Sequence, residues 1–417
     1  MNQGSSKLFY GWYVALACGV GLACGIACVV TYTFAIFAKE LIGEFGWSRT
    51  EVFFGLTVSV ITVALVAPVL GRLVDRVGPR RMILTSIVLQ ALMIASFSRQ
   101  TDAVWTFYAR FVLQTILALG TTHVAFTRVI AVWFDRKRGL ALGVALAGLG
   151  VGGAIWPPYT QFLISTFGWR SAYIGLAATI LLLSFPVIAL VVRDTPQSMG
   201  LQPDGEPAPA SGTAAAGPPP GMTVGEALRT TTFWMMLAAF LLIGLSVTSV
   251  QLALPQLLTD RGVDAMLAAT ALSAVAVALV FGRVAAGWLM DRFFAPRVAI
   301  AFLAGPIAAI LLLAAGASGP FAFVAGLLTG MAAGAEVDVT AYLTSRYFGL
   351  RFFSGIYAWY YGAYSLGAGL GPLLTAAARD NLGSYTEALY MHAALLVVAA
   401  VLLGRLGPFP QWRAGQA

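Results

Sequence analysis

Long apolar blocks broken by short polar segments run the length of the chain. Twelve of them approach or exceed the ~20 residues that a helix needs to cross a bilayer. They lie at roughly 11–38, 50–70, 82–98, 104–132, 140–166 and 171–192, then at 231–255, 265–290, 298–316, 320–345, 354–378 and 385–406. Between spans six and seven lie residues 194–230. This stretch holds Pro203, Pro207, Pro209 and Pro218-Pro219-Pro220 among Ala, Gly and Ser, and reads as a flexible linker. The pattern predicts an all-α membrane protein of twelve transmembrane helices. Its parts are an N-terminal six-helix half (1–193), the linker (194–230) and a C-terminal six-helix half (231–417).

Composition agrees. The chain is 59% hydrophobic and 10% charged, against about 25% charged in soluble domains. So few charges cannot cover a water-soluble surface, and a disordered chain is excluded by the same numbers. The net charge of +8 does not point to nucleic acid, because the basic residues sit in short segments between spans. With the N-terminus inside, seventeen Lys and Arg fall on the inner side and six on the outer, while Arg110 and Arg283 lie within spans. This bias predicts a multi-pass protein of the cell (inner) membrane with both termini and the linker in the cytoplasm. The first block is too long for a signal-peptide core and leads into further spans, so no cleaved leader is expected.

Cys18, Cys24 and Cys28 share one span with no histidine nearby, which predicts packing residues, neither a disulfide framework nor a metal site. There is no P-loop pattern, zinc signature or Gly-x-Ser-x-Gly elbow, so neither an enzyme nor ATP drive is expected, and no cofactor.

The halves repeat. Gly71-Arg72-Leu73-Val74-Asp75-Arg76 after span two matches Gly287-Trp288-Leu289-Met290-Asp291-Arg292 after span eight, at an offset of 216. Trp133-Phe134 leading to Gly139 matches Tyr347-Phe348 leading to Gly355. Two parallel halves of this kind suit alternating access about a site at their interface.

The segment Gly71 to Asp75-Arg76-Val77-Gly78-Pro79-Arg80-Arg81 resembles the signature loop of the major facilitator superfamily, and Gly287 to Arg292 its second-half copy. Tyr347-Phe348-Gly349-Leu350-Arg351 with Gly355-Ile356-Tyr357, and Trp133-Phe134 with Arg138 to Gly143, look like the oxalate:formate antiporter and monocarboxylate transporter-like branch. The resemblance implies that Gly71, Asp75, Arg76, Gly78, Arg80, Asp291 and Arg292 latch the outward-open state. The competing reading is a basic loop that only sets topology.

Charges inside spans are costly, about 3 kcal/mol each on insertion scales. Arg283 follows the apolar run Val275 to Phe281 in span eight, and four positions before it stands Leu279, not an acid. A guanidinium left uncompensated there suits a carboxylate, which it binds as a fork. The resemblance implies the same role, because carboxylate transporters of this branch keep an arginine in helix eight. The alternative is a structural ion pair with Glu336 or Asp338, the two acids deep in span ten. Those two are candidates to carry a proton. His123 in span four can bind the substrate or exchange protons, or be a hydrogen-bonded packing residue. Arg110 either resembles the superfamily's helix-four arginine or snorkels outward. Arg128 reads as topogenic.

Tyr357, Tyr360, Tyr361 and Tyr364 share one helical face of span eleven. Tyr361 and Tyr364 are candidates to line the cavity, with Tyr32 in span one. Oxalate antiporters place a lysine where Tyr364 stands, and animal-type monocarboxylate carriers have a lysine in span one that is missing here. Gly148 and Gly152 permit close helix contact, and Trp156-Pro157-Pro158 is expected to break or bend span five.

The function expected is a secondary transporter, monomeric in the lipid bilayer, that moves a small monocarboxylate such as lactate or pyruvate with a proton. The alternatives are an oxalate/formate-like anion exchanger and a carrier of larger or aromatic acids.

Overall fold

The computed structural model describes residues 8–205, 219–317, 320–382 and 384–411. Among them the chain makes twelve helical passes. The first six are α1 (Tyr10–Phe45), α2 (Arg49–Val77), α3 (Pro79–Ser96), α4 (Val104–Leu117 and His123–Trp133), α5 (Arg138–Leu146 with residues 148–167) and α6 (residues 169–191). The second six are α7 (Thr231–Asp260), α8 (Ala265–Met290), α9 (Ala295–Ala314), α10 (Pro320–Phe348), α11 (Phe353–Leu382) and α12 (Thr386–Gly404). Eight described helices are long and apolar enough to cross a membrane, and the longest of these, Arg138–Val191, contains two passes. The only turn between them is Gly168, at φ 76°, a conformation that glycine adopts without penalty.

Both ends of the described chain pack against loops on one side, the terminal face. Phe9 lies edge-on to Phe134, just after α4, and Phe409 packs on Tyr347 and Phe294.

Three features depart from the expected pattern. First, α1 and α4 are interrupted, at Cys24–Gly25 and at Leu119–Thr122. One buried glutamine on α3 serves both breaks. Gln90 donates to the Cys24 carbonyl at 2.9 Å, and its Oε1 meets the Thr121 hydroxyl at 2.6 Å. Thr121 Oγ1 in turn accepts from the Ile26 amide at 3.1 Å. The backbone groups freed by the breaks are thereby satisfied, as a helix interruption in an apolar medium requires.

Second, α5 is not broken at Pro157-Pro158, which lie inside a continuous helix; its irregularity falls earlier, at Ala147. There Gly148 meets the backbone of Gly19, and Gly152 meets Ala23 and Cys28. The paired glycines therefore bring α5 and α1 into contact, and a side chain at either would collide. Third, the linker is not free at its ends. Residues 201–205 and 219–222 dock on the terminal face, and Val224–Leu228 forms a short capped helix. Residues 206–218, which include Pro207, Pro209 and Pro218, lie outside the described residues.

The halves meet mainly along α2 with α11 and α5 with α8. Gly71 faces the Ser354 carbonyl, and Gly139 and Gly287 face each other's carbonyls. Further along, Gly143 meets the backbone of Arg283, Gly362 meets Ala64, Gly150 meets Val280 and Gly369 meets Val60. Beyond these points the helix ends turn to their own half. Gly55 packs on Phe107, and Gly371 on Leu245 and Ser249. Arg170 pairs with Glu44 at 2.7 Å, and Arg379 with Asp260 at 3.2 Å. The close cross-half approaches thus lie toward the terminal face.

Candidate functional site

Two polar constellations stand out, one within the membrane region and one at the terminal face. The first centres on Arg283. It is only 4% exposed, and its Nη1 lies 3.2 Å from Asp338 Oδ2 on α10, a residue with no exposed surface. The sequence expectation of an uncompensated guanidinium is therefore corrected in this conformation. The partner came from another helix, which the i−4 position could not reveal. The pairing is single. Arg283 Nε and Asp338 Oδ1 are both buried and lack hydrogen-bond partners, and such groups are costly when left unsatisfied in a low-dielectric interior.

Glu336, two residues earlier, points elsewhere, because two residues at 3.6 per turn rotate the side chain by about 200° around the helix. Its Oε1 accepts from the Tyr364 hydroxyl, which also lies 3.4 Å from Thr248 Oγ1 on α7. Its Oε2 is buried without a partner beside a void of about 20 Å³ lined by Phe240, Ile243, Ala299 and Leu403. That volume suffices for one water. Glu336 thus faces into the C-terminal half, while Asp338 faces the guanidinium.

His123 opens the second segment of α4, directly after the break. Its ring meets Tyr361 of α11 edge-to-face at 5.1 Å, an aromatic contact across the two halves, and its Nδ1 has no partner. Tyr32, 37% exposed, lies with its ring over Gly153. The field of Arg283 reaches Tyr32, His123 and Tyr364. The tyrosine face of α11 divides. Tyr360 packs among Phe233 and Phe240, whereas Tyr361 and Tyr364 turn to the polar cluster, and Tyr357, stacked on Phe353, lies within reach of the Arg283, Glu336 and Asp338 charges. Arg110 is not part of it. The side chain of Arg110 bonds Gln100 and the Arg99 carbonyl at the end of α4 far from the terminal face.

The second constellation is reciprocal. Asp75, in the last turn of α2, accepts from the amides of Ser354 (3.1 Å) and Gly355 (2.7 Å) at the start of α11. Asp291, after α8, accepts from Gly139 (2.7 Å) and Leu140 (2.9 Å) at the start of α5. Each half thus places a carboxylate on a helix N-terminus of the other, where the exposed amides and the helix dipole favour an anion. Burial raises the Asp291 carboxyl above its usual range; the Leu140 and Gly139 amides, then Arg346 and Arg138, act in the opposite sense.

Of the signature-loop residues, Gly71, Asp75 and Asp291 make cross-half contacts. The others are placed differently. Arg80 bonds Asp194 and the Ala189 carbonyl within its own half, and Gly78, at φ 95°, turns beside the same Asp194. Arg292 folds back over Trp288, 3.8 Å from the ring centroid, and Arg76 is exposed. Arg76, Gly78, Arg80 and Arg292 make no such cross-half hydrogen bond among the described residues; their side chains or backbones turn to solvent, to the linker or to their own half.

Sequence reasoning missed several members of this face. Arg128, read as topogenic, is largely covered, with Nη1 3.9 Å from Asp75. Asp135 pairs across the halves with Arg346 at 3.1 Å, and Arg138 bonds Ser345 at 3.0 Å. The repeat offset carried a usable signal, since Gly139 and Gly355 are the repeat-related partners of the two carboxylates.

Residues 20–351 match the family described as the Major Facilitator Superfamily. The chain belongs to that superfamily. Among curated relatives, this superfamily member is 26% identical over 413 residues to Monocarboxylate transporter 13 of Bos taurus, a match covering 96% of this chain and 90% of that one. It is also 26% identical over 403 residues to Monocarboxylate transporter 11 of Homo sapiens, covering 93% and 81%. Among solved structures, the proton:xylose symporter XylE aligns with a TM-score of 0.72 at 14% identity over 96% of both chains. FucP in its outward conformation aligns at 0.70 and 14%, over 94% of this chain and 99% of that one. At these identities the structural likeness is one of fold. The chain is accordingly a multi-pass membrane transporter of the superfamily, with relatives named for monocarboxylates.

Proposed function

We propose that the protein is a secondary active transporter that carries a small, lactate- or pyruvate-like monocarboxylate together with one proton across the inner membrane by alternating access, with both termini in the cytoplasm. The observation that carries this reading is the buried Arg283–Asp338 pair, with an unsatisfied atom on each partner. A substrate carboxylate and the Asp338 carboxylate compete for one guanidinium. Protonation of Asp338 removes its charge and frees Arg283 to take the anion as a fork. The empty cluster (Arg⁺, Asp⁻) and the loaded one (Arg⁺, substrate⁻, AspH) then carry the same net charge. Rocking the loaded carrier therefore moves no extra charge through the apolar region, which would be costly.

In this reading Tyr32, His123, Tyr361 and Tyr364 surround the rest of the substrate. His123 with Tyr361 forms the contact that must part when the halves separate on the cytoplasmic side. Glu336, turned into the C-terminal half and held by Tyr364, is a positioning residue; the coupling proton belongs to Asp338. The Asp75 and Asp291 clasps hold the outward-open state. Support also comes from the relatives' names and from the absence of a lysine at Tyr364, which leaves too little positive charge for a dianion.

The test is uptake into liposomes holding the purified protein, with an inward proton gradient. Lactate or pyruvate should accumulate with proton entry in wild type and not in Arg283→Lys or Arg283→Ala. Normal accumulation by both folded variants would end this reading. Counterflow without proton movement would instead favour the exchanger.

A further inference from the structure

The loops that precede the two clasped helix ends are themselves held by the linker. Asp204 accepts from three consecutive amides of the loop before α5: Asp135 (3.0 Å), Arg136 (2.7 Å) and Lys137 (3.4 Å). It is the one non-glycine residue with positive φ (59°) among the described residues. Aspartate tolerates that region better than most side chains, but the conformation is uncommon and persists where its surroundings impose it. Here the three amides impose it, and the Gly205 backbone is packed beside Phe9.

At the other end, the Met222 amide donates to the Phe348 carbonyl at 2.8 Å, and the Leu350 amide donates to the Pro220 carbonyl at 2.9 Å. That two-bond bridge holds the loop before α11. The Val224 side chain then reaches Gly355, one of the two residues whose amides bind Asp75.

The two loops are repeat-related, and each runs into the helix N-terminus gripped by a carboxylate of the opposite half. A carboxylate can bind two backbone amides only if both point the same way, so fixing the preceding loop pre-organises the clasp. We infer that the docked ends of the linker are the second tier of the cytoplasmic clasp: Asp204 aims the Gly139 and Leu140 amides at Asp291, and the Pro220–Met222 bridge aims the Ser354 and Gly355 amides at Asp75, so that the linker biases the carrier toward its outward-open state. The inference rests on the rocking of the halves and not on the identity of the substrate.

A purely local role and a clasp-supporting role differ in reach. If the two clasps open together because the halves rock as rigid bodies, loosening one exposes the other. Hydrogen exchange of the full-length protein in lipid, with no substrate added, separates them. Asp204→Ala should speed exchange in residues 351–358, which Asp204 does not touch, by at least about fivefold, the lower end of ordinary coupling between sites. Met222→Pro, which deletes one bridge donor, should do the same to residues 138–142. Asp204→Asn, which keeps an acceptor, should restore much of the protection. Faster exchange confined to residues 135–137 in the first variant and 348–350 in the second would overturn the inference. Should Asp204→Ala not fold, Met222→Pro carries the same test, read at residues 138–142. Faster exchange as expected, in a wild-type background that accumulates neither lactate nor pyruvate, would count against the transport reading and leave this one standing; unchanged exchange in both Asp204→Ala and Met222→Pro would overturn this one.

Discussion

The two halves are copies at the terminal face and strangers in the membrane. At the face, Asp75 and Asp291 stand 216 residues apart, and each grips the helix end that the other half offers 216 residues apart, Gly139 and Gly355. In the interior the C-terminal half carries Arg283, Glu336 and Asp338 on helices that run unbroken. The N-terminal position equivalent to Arg283, at the same offset, is Ala67. The N-terminal half instead has interrupted α1 and α4, stitched by Gln90, with His123 at the second break. On the proposed reading, the duplicated scaffold keeps what rocking needs, a symmetric clasp, and diverges where the substrate would bind. In this division the C-terminal half holds charge, and the N-terminal half supplies irregular backbone and a ring against Tyr361.

The largest expected effect strikes the charged half. Arg283→Ala should lower monocarboxylate uptake by about 100-fold or more, as removal of a buried charged contact implies. It should also destabilise the protein by about 3–5 kcal/mol, because Asp338 is left buried and alone. Adding Asp338→Asn should recover the melting temperature without recovering uptake. Recovery of both would place the substrate elsewhere.

Asp338→Asn alone comes next. Accumulation driven by a proton gradient should vanish, while anion counterflow through the same protein persists. If gradient-driven uptake survives, the proton is carried by another group, and Glu336→Gln becomes the informative variant.

The clasp should respond symmetrically. Asp75→Ala and Asp291→Ala each lose two charge-assisted bonds, worth about 1.5–3 kcal/mol apiece in typical cases. Each should raise maleimide labelling of a Ser345→Cys reporter from the cytoplasmic side by about tenfold or more. Unequal responses of the two variants would show that the repeat symmetry is not functional symmetry.

The smallest effect tests the N-terminal half. Gln90→Leu leaves the Cys24 carbonyl and Thr121 without their partner and should lower stability by about 1–3 kcal/mol, read as a lower melting temperature. An unchanged melting point would mean that the breaks in α1 and α4 need no bracing.

Much of this was legible beforehand, for identifiable reasons. Apolar block length marked every pass, because a bilayer allows few other solutions for the backbone. Span boundaries fell within several residues of the helices, including the turn at Gly168. The loop repeat marked Gly71, Asp75 and Asp291. Pro157-Pro158 do not break α5, because a proline's missing amide interrupts one hydrogen bond without deciding whether the neighbours keep the helix continuous. The Asp75 partner of Arg128 was not legible, because a positive charge near a membrane boundary carries no local sign of the carboxylate it meets.

The sequence alone determined the solvent this chain must occupy, the number of passes and the places where charge is buried, since these follow from composition and local spacing. Only the tertiary structure decided which buried charges meet. Arg283 and Asp338 are 55 residues apart, Asp75 and Gly355 280, and no local rule relates them. Their pairing depends on how helices cross, which glycine contacts set by letting backbones touch: Gly282, Gly330 and Gly334 between α8 and α10 for the first pair, and Gly71 between α2 and α11 for the second.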